Sequence, residues 1–121
     1  MGKFLFRFGY CTPIQWRAND EHGWDDESSG AFFVEAETID SAESWGCEVV
    51  EAFCKQLFTQ SRWPGKIPSW RESEFAFWIE SEPELLPELY LEKLPTTISG
   101  QMPDLIEWEK AIKELGVSLH I

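Results

Sequence analysis

Basic residues are missing from a long central part of this chain. Between Ala18 and Cys54 the sequence has no lysine or arginine, but it has eleven carboxylates. A second stretch, residues 72–109, holds ten acids against Lys93 alone. The net charge is −12, so the surface field should attract cationic partners and repel polyanions. Because nucleic-acid binding depends on lysine and arginine contacts to phosphates, we do not expect a nucleic-acid partner.

Cysteines are few and long apolar runs are absent. Three cysteines are an odd, sparse set that does not suggest a disulfide framework. No stretch approaches the roughly 20 apolar residues that a membrane span needs. The N-terminal segment is interrupted by Arg7 and lacks a small-residue cleavage site, so it does not have the pattern of a signal peptide. We therefore expect a cytoplasmic protein without membrane association.

Motifs for catalysis and cofactor binding are also missing. The chain has no glycine-rich phosphate loop, and its acidic segment 20–27 lacks the spacing of an EF-hand. The two histidines, His22 and His120, have no nearby cysteines in a zinc-binding pattern. No local signature pairs a nucleophile with a base. The sequence therefore predicts no enzyme, no cofactor and no metal site.

Alternating and helical patterns predict the main elements. Aromatic residues alternate from Phe4 to Tyr10, and similar alternation over 31–38 and 74–80 predicts two further strands. Apolar residues three and four apart predict a helix from an N-cap at Asp40 to about Thr59. Its Gly46 would let the helix backbone approach a neighbour closely.

The remaining segments complete a predicted single domain over residues 1–121. Residues 17–30 are predicted as a long exposed loop, and 83–94 as short helical turns at most, because of their prolines. A last helix begins at Pro103, and a short strand covers 117–121. The predicted order is ββαβαβ. We expect an α+β two-layer sandwich, with about four mainly antiparallel strands and two helices packed on one face.

Two sets of residues are candidates for binding. The first lies in the acidic segment, where carboxylates surround a tryptophan that could anchor a basic protein partner: Asp20, Glu21, Trp24, Asp25, Asp26 and Glu27. The second combines tryptophans near the Pro-Gly loop with a neighbouring acid, as a stacking surface for a carbohydrate or other small molecule: Trp63, Trp70, Trp78 and Glu72.

Charge favours the first set, and the main hypothesis is a small acidic protein-binding module that engages a basic partner. In size and charge the chain resembles bacterial immunity and inhibitor proteins, which implies that it blocks a basic cleft by complementary charge. Two alternatives remain. One is a small-molecule or carbohydrate-binding domain, with or without enzymatic activity. The other is a homo-oligomer that buries a sheet face or edge including Trp78.

Overall fold

The four-stranded sheet at the centre of the fold confirms the α+β class. The computed structural model describes residues 2–108. Its strands are β1 (Gly2–Tyr10), β2 (Ser28–Ala36), β3 (Phe77–Ile79) and β4 (Thr96–Ile98), in the sheet order β3-β1-β2-β4. β1 is antiparallel to both β2 and β3, whereas β4 is parallel to β2. The sheet is thus mixed but mainly antiparallel.

The helices are α1 (Pro13–His22), α2 (Ile39–Gln60) and α3 (Glu88–Lys93), and residues 105–108 form a helical turn at the end of the described part. Short 3-10 turns occur at Arg71–Ser73 and Pro83–Leu85. The predicted order ββαβαβ is not confirmed, because α1 lies between the first two strands. The predicted strand 117–121 lies outside the described residues. None of the helices within 2–108 is long and apolar enough to cross a membrane.

α1 corrects the prediction of a continuous loop over 17–30. Thr12 is its N-cap: its hydroxyl accepts from the Gln15 N–H at 3.2 Å, and the Gln15 side chain accepts from the Thr12 N–H at 2.9 Å. Pro13 occupies the first turn, and Gly23 ends the helix with a left-handed φ of 68°. α1 buries no residue fully. It therefore lacks the apolar periodicity by which helices are usually predicted.

α2 covers one face of the sheet, as its apolar spacing predicted. The N-cap is Thr38, whose hydroxyl accepts from the Ser41 N–H at 3.1 Å; the predicted cap at Asp40 is wrong by two residues. Gly46 lies directly over Phe6, and a methyl group at this position would overlap the Phe6 ring. The buried residues of α2 form the core with β1 and β2: Ala42, Gly46, Cys47, Val49, Val50, Phe53, Cys54, Leu57 and Phe58.

The opposite face of the sheet is covered as well. Leu5 and Ala31 point away from α2 and are buried together with Leu94. Phe33 and the leucines of the segment before β4, Leu86 and Leu91, pack against this second cluster. The expectation that all helices pack on one face of a two-layer sandwich is therefore not confirmed.

Candidate functional site

An open groove of about 680 Å³ lies beside the end of β1. Its walls come from α1, from the segment that joins α1 to β2, and from the turn that precedes β3. Residues far apart in the sequence thus meet in one place. The lining residues are Cys11, Trp16, Asn19, Asp20, Trp24, Asp25, Asp26, Glu27, Glu72, Ser73 and Phe75.

The groove gathers most of the predicted partner-binding residues. All of that set except Glu21 line it, and Glu21 lies exposed on α1. Glu72, which the sequence placed in the alternative small-molecule set, also contributes to the groove. The wall therefore combines carboxylates with aromatic surface, a combination suited to a cation.

Asn19 holds the acidic segment in place. Its side-chain amide donates to the Asp26 carbonyl at 2.9 Å, and its side-chain oxygen accepts from the Asp26 N–H at 3.0 Å. The Cys11 thiol donates to the same carbonyl at 3.1 Å. Burial, reinforced by the charges of Glu27 and Asp26, raises the pKa of the Cys11 thiol, so the thiol stays protonated and keeps this bond. The role of Asn19 was not predicted from the sequence, because residues 17–30 were expected to form a loop and Asn19 reaches Asp26 from α1.

Trp24 provides the exposed aromatic surface of the groove. Its side chain is 53% exposed. One part of the indole stacks on His22, with ring centroids 4.4 Å apart and an angle of 25° between planes. Trp16, half-buried, packs against Phe58 in an edge-to-face arrangement and forms another part of the wall. The indole of Trp24 therefore has a stacking partner in His22 and still exposes about half of its surface.

No lysine or arginine of the described chain is among the residues that line the groove. Three basic side chains lie over aromatic rings outside the groove: Lys3 over Phe33 at 4.7 Å, Arg7 over Trp78 at 5.2 Å and Arg17 over Trp63 at 5.3 Å. The ion pair found within residues 2–108 joins Arg7 and Glu80 at 3.0 Å. Hydrogen bonds from Arg7 and Trp78 lower the pKa of Glu80. The groove carboxylates thus have no ion-pair partner in the described part of the chain.

The alternative tryptophan set is not assembled into one surface. Trp70 is buried, 3% exposed, and its indole N–H donates to the Gly9 carbonyl at 2.8 Å. Trp63 packs against Phe58 at the end of α2. Trp78 is exposed beside Arg7, on the sheet face opposite to α2. Ligand binding by these tryptophans stays a prediction, but they do not share a cleft.

The acidic residues of the described region do not form a metal site. Within residues 2–108, no group of three or more histidine, cysteine, aspartate or glutamate side chains is arranged to hold a metal ion.

Comparisons with known proteins place the chain in no family. It matches no protein-family model, and neither curated proteins nor solved structures gave a match. The class of protein that the structure defines is therefore an α+β domain with an acidic, aromatic groove, and its function has to be inferred from that groove.

Replacing Asn19 with alanine should loosen the acidic segment. The Asp26 N–H would lose its acceptor, so we expect its hydrogen exchange to become faster and the free energy of unfolding to fall by about 1–2 kcal/mol. Asn19→Asp keeps the acceptor and should preserve more of the protection. Ser28→Ala, which removes a nearby hydrogen bond to Gln15, is the matched control. Unchanged exchange at Asp26 in the alanine variant would show that Asn19 does not position the segment.

Proposed function

We propose that this chain is a non-enzymatic protein-binding module whose acidic groove engages a basic partner. The observation that supports the proposal is the groove itself, in which carboxylates surround the exposed Trp24 without a neutralising cation from residues 2–108. A lysine or arginine of a partner would gain charge-assisted hydrogen bonds to the carboxylates and a cation–π contact with the indole.

The overall charge supports the same proposal. With a net charge of −12, the chain should associate quickly with a basic surface, and the rate should fall as salt is added. A compact acidic protein of this kind suits the role of a cytoplasmic inhibitor or immunity-type protein, which covers the basic cleft of an enzyme or toxin. Blocking requires only that the groove and the cleft have complementary shape and charge.

Affinity capture from the native host at low salt, followed by a binding titration with the captured protein, tests this proposal. The triple variant Asp20→Asn, Asp25→Asn, Asp26→Asn should weaken binding at least about tenfold, because each lost charged contact is worth roughly 1.5–3 kcal/mol when desolvated. It should also reduce the dependence of affinity on salt.

The control is a triple variant with the same change in net charge away from the groove: Glu35→Gln, Glu48→Gln and Glu92→Gln. This control should retain most of the affinity. A captured partner without a basic surface, or an equal loss in both triple variants, would show that the groove is not the binding site.

A further inference from the structure

The backbone of β3 faces outward at two residues. The Gly9 N–H donates to the Ala76 carbonyl at 2.9 Å, and the Glu80 N–H donates to the Leu5 carbonyl at 2.8 Å. Because hydrogen-bonded pairs alternate along an antiparallel ladder, Trp78 directs its backbone groups toward β1, whereas Phe77 and Ile79 direct theirs away from it. Among residues 2–108, no strand pairs with this outer edge.

Side chains add apolar surface to the same edge. Phe77 is 40% exposed and Trp78 is 44% exposed, and alternation places them on opposite faces of the sheet. Sheet edges are commonly protected by lysine, proline or a bulge within the strand. β3 contains phenylalanine, tryptophan and isoleucine instead. Its backbone and its side chains are therefore both suited to the addition of another strand.

A cavity of about 350 Å³ lies between α2 and this edge. It is lined by Phe77, by Arg71 and by the α2 residues Glu43, Ser44 and Cys47. A strand added to β3 would place every second side chain on the α2 side of the sheet. One of these side chains would enter the cavity against Phe77, so the cavity supplies a means of side-chain selection.

Charge indicates whether a second copy of this chain or another protein would pair with the edge of β3. Exposed acids flank β3 on both sides: Glu72 and Glu74 before it, Glu82 and Glu84 after it. If a second copy paired antiparallel with this edge, Glu72 and Glu74 of one copy would lie opposite Glu82 and Glu84 of the other. If it paired parallel, each glutamate would lie opposite the same glutamate of the other copy. Like charges opposed across strands are destabilising, so self-association at this edge is disfavoured.

We propose that the outer edge of β3 accepts an extended segment of another protein, with an apolar centre and lysine or arginine at both ends. The centre would pair with the backbone of Phe77 and Ile79 and fill the cavity. The basic ends would meet the flanking glutamates. This site shares Glu72 with the acidic groove but is otherwise formed by different residues, and the inference does not depend on the groove having a partner.

Hydrogen exchange in the full chain tests the proposal with a synthetic peptide, whose centre is Val-Thr-Val-Thr-Val and whose ends each carry two lysines. On binding, the amides of Phe77 and Ile79 should exchange at least about tenfold more slowly, while the inward Trp78 amide changes little. A peptide N-methylated at each central residue keeps the charge and the side chains, but its central backbone nitrogens have no N–H to donate to the edge of β3. It should bind at least about tenfold more weakly, because several backbone hydrogen bonds are lost.

Charge variants separate this site from the groove. The double variant Glu74→Lys, Glu82→Lys should bind the lysine-ended peptide more weakly and a glutamate-ended peptide more tightly than the parent chain does. The control variant Glu48→Lys, Glu92→Lys has the same change in net charge away from β3, and it should change both affinities much less. At salt that screens long-range attraction, the groove triple variant should bind the peptide within about twofold of the parent chain. The affinity for the peptide therefore tests the β3 edge independently, whether or not the groove has a partner.

Three outcomes would overturn the inference. Strong protection of Phe77 and Ile79 in the chain without peptide would show that the edge is already paired within the chain. Equal binding of the N-methylated peptide would show that attraction is only electrostatic. A dimer that the peptide dissociates, detected by analytical ultracentrifugation, would show that a second copy occupies the edge.

Discussion

Replacing Trp70 with alanine should lower the free energy of unfolding by about 3–5 kcal/mol, the range for a large aromatic residue removed from a core. Trp70 packs edge-on against Phe8, with centroids 6.4 Å apart, and also contacts Phe77 at 5.5 Å. Its indole N–H satisfies the Gly9 carbonyl. The substitution would therefore leave a cavity next to β1 and a buried carbonyl without its donor.

Two controls separate packing from hydrogen bonding. Trp70→Phe keeps an aromatic ring but not the donor, so we expect a smaller loss of about 1–3 kcal/mol. Trp78→Phe changes an exposed residue and should remain within about 0.5 kcal/mol of the parent chain. Urea unfolding followed by circular dichroism measures all three. If Trp70→Ala were as stable as Trp78→Phe, Trp70 would not be a core residue and could belong to a ligand surface.

Replacing Gly46 with alanine should destabilise the chain by about 1–3 kcal/mol, although the same change in an exposed helix position stabilises by about 1 kcal/mol. The opposite sign follows from the close approach of α2 to the sheet. A methyl group at residue 46 would overlap ring atoms of Phe6. Phe6 is fully buried and lies against Phe32 and Phe8, so its ring has little room to move.

A double-mutant cycle checks the cause of that loss. Phe6→Leu replaces the ring with a smaller side chain, so the loss of stability caused by Gly46→Ala should be smaller in the Phe6→Leu background. Ser44→Ala, at an exposed position of α2, should be neutral or slightly stabilising because alanine favours helices. Thermal unfolding of the four variants provides the measurement. Stabilisation by Gly46→Ala alone would mean that α2 lies farther from β1 than the structure shows.

Elements with a buried face were predictable from the sequence. Phe6 and Phe8, two residues apart, both point toward α2, and the apolar stripe of α2 faces them. Burial of one face imposes a period of two residues on strands and of 3.6 residues on helices, and both periods are visible in the sequence. Gly46 was predicted as a point of close approach, and the structure confirms it. The end of α2 at Gln60 also agrees with the prediction, whereas its N-cap does not.

α1 was missed because it has no fully buried face, so only its capping residues identify it. Thr12 and Gln15 form a capping box that the pattern Thr-x-x-Gln already contained. The groove was predictable only in part. Its acidic segment was singled out as a binding candidate, but Glu72 was assigned to another set, and Asn19 had no apparent role until α1 brought it beside Asp26.

The sequence by itself determined the charge of the molecule, the core-facing sides of β1 and α2 and the acidic character of the segment before β2. These properties depend on residue type and local spacing. Only the tertiary structure decided that Glu72 and Phe75 join that segment in one groove, that Trp70 is buried while Trp78 is exposed, and that β3 lies at an edge. These properties depend on contacts between segments distant in the chain, which local periodicity does not encode.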